Sequence, residues 1–125
     1  MTMTTLETTE NKVEFHKKGW GYELWLVNCE KYCGKILYFN LGKKCSWHYH
    51  NIKHETFYLQ SGRLLISYSD DNDITKANSR ILKPGDSMTI YPGLRHQMTA
   101  IKASKLLEFS TQHFEDDSYR ITNGD

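Results

Sequence analysis

From Tyr22 to Gln112 the chain is a succession of short runs rich in aromatic, β-branched and leucine residues, and no stretch keeps a 3.6-residue apolar period long enough for a core helix. That pattern constrains the fold more than any other feature. The runs are YELWLVN (22–28), GKILYFN (34–40), CSWHYH (45–50), ETFYLQ (55–60), RLLISYS (63–69), SRILK (79–83), DSMTIY (86–91), HQMTAIK (96–102) and KLLEFSTQ (105–112). Between them stand turn formers: Gly42 among lysines, Ser61-Gly62, the polar loop DDNDITKAN, Pro84-Gly85 and Pro92-Gly93. Both prolines fall at breaks, where a missing backbone N–H removes nothing from a ladder. Nine short strands at regular spacing predict an all-β, antiparallel sandwich or barrel, and the lack of an internal repeat predicts one barrel rather than two.

A chain of 125 residues buries a single core. Residues 1–12 are polar and threonine-rich and read as a disordered arm. The barrel should occupy 13–114, with a mobile or loosely docked tail at 115–125. Lysine plus arginine number 16 against 15 aspartate plus glutamate, so no basic stripe invites nucleic acid or an anionic membrane. The expected partner is a small molecule. No apolar run is long enough for a membrane span, and the N-terminus lacks the basic-then-apolar order of a secretory signal, which predicts a soluble, cytoplasmic protein. Cys29, Cys33 and Cys45 match neither a disulfide framework nor a four-thiolate zinc site and are expected to be reduced.

The stretch HYHNIKHETFYLQSG concentrates chemistry. Side chains alternate across a strand, so His48 and His50 project from one face about 7 Å apart, near enough to share an ion. After the turn Asn51-Ile52-Lys53, residues Glu55, Phe57 and Leu59 share one face while His54, Thr56 and Tyr58 share the other. If the two strands pair, Glu55 comes up beside the histidines. His96 follows the tight turn in PGLRH and is placed to add a third imidazole. Three imidazoles and a carboxylate form a borderline N/O set suited to iron, manganese, nickel, cobalt or zinc, with positions left for water or substrate. An HxH pair alone is equally compatible with an ordinary amphipathic strand.

The spacing around it goes further. Gly42, five residues, His48-x-His50, four residues, Glu55, six residues, Gly62 resembles the first signature of the cupin superfamily, and Gly85, seven residues, Gly93, two residues, His96 resembles the second. In the second, Tyr91 stands where proline is usual and Ala100 where asparagine is usual. The resemblance implies a small jelly-roll barrel without a core helix and one divalent transition metal on His48, His50, Glu55 and His96. Along most of the chain the flanks are similar to the cupin domain of type II mannose-6-phosphate isomerases, found at the end of mannose-1-phosphate guanylyltransferases. The matching pieces are Trp20-Gly21 with Glu23, Lys35, the PGLRH turn, Glu108, Glu115-Asp116-Asp117 and Arg120-Ile121. That family usually has glutamine where this chain has His48; the histidine resembles instead cupin-type glucose-6-phosphate isomerases, lyxose isomerases and iron dioxygenases.

The resemblance implies a metal-dependent aldose-ketose isomerase acting on a sugar or sugar phosphate. Besides the metal, such a reaction needs an acid/base, for which Glu108, Tyr58, Tyr91 and Lys35 are candidates. Glu108 sits in an apolar strand where burial would raise its pKa, or else it is a structural carboxylate paired with Arg80 or Lys105. Lys35, Arg95 and Tyr91 are the candidate substrate contacts, Lys35 because it shares strand parity with Leu37 and Phe39. The segment GWGYELWL is the expected edge strand of a homodimer. His16 and His113 lie outside any motif. Two other functions are compatible with the residues: an iron dioxygenase of a small molecule, and a non-catalytic sugar- or metal-binding module.

Overall fold

Alternating inward apolar residues build nine strands among the described residues: β1 (Glu14–Lys18), β2 (Gly21–Asn28), β3 (Cys33–Phe39), β4 (Trp47–Tyr49), β5 (Glu55–Ser69), β6 (Asn78–Leu82), β7 (Ser87–Ile90), β8 (Arg95–Ser110) and β9 (Tyr119–Thr122). The computed structural model describes residues 6–125. The strands run β1-β2-β3-β8-β4-β9 along one curled sheet, with β5 beside β8 and carrying β6 and β7 on its other side. Among the described residues there is no α-helix, only single 3-10 turns at Ile74–Lys76 and Glu115–Asp117. This is the small jelly roll that the resemblance implies. No described helix is long and apolar enough to cross a membrane.

Strands β5 and β8 form the spine, paired antiparallel from Glu55↔Ser110 to Ser69↔Arg95. The sequence predicts two strands in each of these regions, and the structure makes each pair continuous. Ser61-Gly62 does not reverse the chain. Instead the β5–β8 register shifts between Leu59 and Leu64, a bulged corner that bends the strand. Gly62 takes φ +92, and Ser104 Oγ of β8 accepts from the Arg63 N–H at 3.0 Å to replace the lost ladder bond.

Inward residues Leu37, Phe39, Phe57, Leu59, Ile66 and Leu106 fill one end of the roll. The same inward faces turn polar at the other end: β3 carries Lys35, β5 carries Glu55 and β8 carries Glu108, all buried. Strand parity aims these groups at the functional cavity.

Two expectations are corrected. GWGYELWL is not an edge, because β1 covers it over the full Glu14↔Trp25 to Lys18↔Gly21 register; the run EFHKK is too polar to announce itself as a strand. The segment 115–125 is not a loosely docked tail: Asp117 is buried and β9 pairs with β4 from Trp47↔Thr122 to Tyr49↔Tyr119. Its partner supplies the order that its own four residues do not. Of the expected arm, residues 1–5 lie outside the described residues and 6–12 form no regular element.

Candidate metal centre

His48 on β4 lies opposite His96 on β8, and His50 follows one residue beyond β4. Each offers a ring nitrogen, and the three nitrogens lie within 4.8 Å of one another. What turns them the same way is backbone. His48 Nδ1 is 2.8 Å from the Ser46 carbonyl, His50 Nδ1 is 2.7 Å from the Asp117 carbonyl and His96 Nδ1 is 2.9 Å from the Leu94 carbonyl. A carbonyl can only accept, so Nδ1 carries a hydrogen in every ring, and the neutral form of each leaves its lone pair on Nε2, the nitrogen that faces inward. Burial first, then the neighbouring His96 and His50, hold His48 well below the usual histidine range. Burial likewise lowers His50, against the pull of Glu55. Neutral imidazoles of fixed tautomer are what a metal requires of its ligands.

Glu55 completes the set. Its Oε2 lies 3.3 Å from His96 Nε2 and 3.8 Å from His50 Nε2. Burial would raise this carboxyl, but the ammonium of Lys53, first among its neighbours, holds it well below the ordinary carboxylate range. Among the described residues, Glu55 Oε2 and His96 Nε2 are buried without a hydrogen-bond partner. Two buried lone-pair atoms left facing each other cost about 1–3 kcal/mol apiece, and a cation between them satisfies both. The residues therefore fit a divalent transition metal.

A second layer of charge lies behind Glu55. Lys53 Nζ is 3.1 Å from Glu55 Oε1, 2.9 Å from Glu108 Oε2 and 3.2 Å from His113 Nδ1, so its three N–H groups meet three acceptors. Burial and the nearby Glu55 push Glu108 upward, against the pull of Lys53 and Lys35. Burial and then Lys35 and Lys53 push His113 down to about 3, leaving its Nδ1 free to accept. Lys35 stands opposite Glu108 in the β3–β8 register, 4.1 Å over the Trp25 ring. Its ion-pair partner is Glu23 Oε1 at 3.8 Å, beyond hydrogen-bond range. The structural partner of Glu108 is thus Lys53, and not Arg80 or Lys105: Arg80 is exposed on β6 and Lys105 lies over Tyr38, on the opposite parity of β8.

The four donors, Glu108 and Lys35 all line one cavity of about 740 Å³. Tyr58, Tyr91 and Arg95 do not. Tyr58 shares parity with the outward residues of β5. Tyr91 is 63% exposed and packs on the outward His54. Arg95 bonds Asn72 Oδ1 and the Gly93 carbonyl and stacks on Tyr49. Lys53 and Asp117 carry no weight in the sequence reading, yet both are buried here. Lys53 has a signal, since it shares parity with Glu55; Asp117 has none beyond its place in the Glu115–Asp117 match. The three cysteines are free, and burial pushes the Cys45 thiol up to about 12, far from a ligating thiolate.

The family model for the cupin domain matches residues 36–109, more than half of the sequence. The chain belongs to the cupin family. No curated protein matches it. Among solved structures, the cupin is similar to the capsular polysaccharide assembling protein CapF from Staphylococcus aureus, at 15% identity and a TM-score of 0.75 over 89% of this chain and 34% of that one. It is also similar to oxalate decarboxylase from Bacillus subtilis, at 16% identity and a TM-score of 0.77 over 92% of this chain and 33% of that one. Mn(II) centres are described for that decarboxylase. The cupin spans about a third of these chains, and at such identities the likeness is one of fold.

Proposed function

We propose that this cupin holds one divalent transition metal on His48, His50, Glu55 and His96 and isomerises a sugar or sugar phosphate between its aldose and ketose forms. One observation carries the reading: three histidine nitrogens and the Glu55 carboxylate converge in a cavity that also holds a second buried carboxylate, Glu108, whose proton affinity burial raises. The resemblance of the flanks to type II mannose-6-phosphate isomerases supports the substrate class.

A divalent ion bound there supplies Lewis acidity that stabilises negative charge on adjacent oxygens of a hydroxycarbonyl compound. The chain's own residues do the rest. Glu108 takes a proton from one carbon and returns it to the neighbouring one while the hydroxyl proton passes between the two adjacent oxygens, and burial, which raises the proton affinity of its carboxylate, favours its action as the base. Lys53 at 2.9 Å and Ser110 Oγ at 3.1 Å both hold Oε2 of Glu108, which fixes the orientation of the carboxylate. Lys35 offers its ammonium to a phosphate or hydroxyl oxygen, its ion pair with Glu23 being long.

The test is proton NMR in D2O of hexose and pentose phosphates and free sugars with protein reconstituted anaerobically with iron, manganese, nickel, cobalt or zinc. Deuterium should appear at C1 or C2. It should vanish in His50→Ala and fall about 10²–10⁴-fold in Glu108→Gln. Absence of exchange with every metal, joined to oxygen uptake by the ferrous protein, would replace the isomerase with a dioxygenase. Ligand binding without either activity would leave a binding module.

A further inference from the structure

Asp117 makes more contacts with the centre's framework than any sequence motif suggests. Its carboxylate accepts from the backbone N–H groups of Asn51 (2.9 Å to Oδ1), Ile52 (3.1 and 3.2 Å to the two oxygens) and Lys53 (3.0 Å to Oδ2). Its own carbonyl accepts from His50 Nδ1 at 2.7 Å. One buried residue therefore grips His50, Asn51, Ile52 and Lys53 in succession. That turn sets the distance between the ligands His50 and Glu55, and it delivers Lys53 to Glu55 and Glu108. A three-residue turn between two ligands has no ladder of its own to hold it, since β4 ends at Tyr49 and β5 begins at Glu55. Three N–H groups converging on one carboxylate supply the missing restraint.

We infer that Asp117 is a positioning residue of the metal centre, one that orients His50 and places Lys53 without itself meeting metal or substrate. The inference rests on the metal reading above, and the test separates the two. Co(II) titration, followed by its visible spectrum, is compared for the wild type, Asp117→Ala, Asp117→Asn and Leu82→Ala. Leu82 is buried on β6 and does not line the cavity, so its variant reports a plain loss of stability. Asp117→Ala should weaken Co(II) binding about 10–100-fold, in the range typical of residues that orient metal ligands, with Asp117→Asn between it and the wild type. Leu82→Ala should bind Co(II) as the wild type does. Equal Co(II) affinity in Asp117→Ala and the wild type, or an equal loss in Leu82→Ala, would overturn the assignment.

In metal-free protein, nitrogen-15 NMR of the histidine rings and amide exchange at Asn51–Lys53 give a second readout. The wild type should keep His50 in the Nδ1–H tautomer with protected amides; Asp117→Ala should lose the amide protection directly and, as the released carbonyl of residue 117 shifts away from His50, the fixed tautomer as well. If wild type binds no Co(II), the metal reading fails, and this readout still decides the positioning role: an unchanged tautomer and unchanged exchange would overturn it.

Discussion

Lys53 shows how far a single charge can be buried when every hydrogen has a partner. Its desolvation alone would lower its pKa, but Glu108 and Glu55 reverse the sign and raise it. Removing the ammonium strands two carboxylates in a place where an unpaired charge costs several kcal/mol. Lys53→Met should therefore destabilise the protein by about 3–5 kcal/mol in urea unfolding, and adding Glu108→Gln should restore part of that loss. His113 makes a pH prediction. Its folded pKa, about 3, lies below an unfolded value of about 6.5, so the unfolded chain takes up the proton first. The stability it contributes is complete above about pH 6.5 and is lost as pH falls toward 3. His48 and His50, also lowered, act with the same sign. Melting temperatures of the wild type and His113→Gln, followed across that window, should show a shallower fall in the variant. At this scale the sequence was readable wherever strand parity applied. It placed Glu55 inward and Tyr58 outward, so the outward position of Tyr58 already argued against a catalytic role. His113 and Asp117 act through contacts 60 or more residues away in the chain, which no local pattern encodes.

The elements were legible as runs and misleading at their ends. Ser61-Gly62 is a turn signal, and whether it makes a hairpin or a bulge depends on the strand alongside, in this case β8. Two glycines separate the local effect from the nonlocal one. Gly42 and Gly62 both have positive φ, but a Cβ on Gly42 meets open space while one on Gly62 would press on the Ala103 carbonyl and Ser104. Gly42→Ala should cost about 1–2 kcal/mol, the strain of a left-handed residue. Gly62→Ala should cost distinctly more, read as a larger drop in the denaturation midpoint. The strand β9 was hidden for a related reason. It has four residues and only one inward apolar side chain to advertise it, Ile121, and its order comes from β4.

For the molecule as a whole, turns and strand parity carried the all-β class, while the cupin resemblance carried the jelly roll and pointed to His48, His50, Glu55 and His96, which the structure brings together. The support of those donors was not legible, since it comes from carbonyls and from a carboxylate that arrive by tertiary packing. Donors at 48, 50, 55 and 96 converge on β4, β5 and β8, while the residue that grips the turn between two of them sits at 117. This ordering bears on biosynthesis. A nascent chain that has already exposed all four donors still lacks the clamp on its second imidazole and the strand that pairs with β4. On the proposed metal reading the site is therefore complete only once residue 117 and β9 have left the ribosome, and before that point the histidines have not yet chosen which nitrogen to offer.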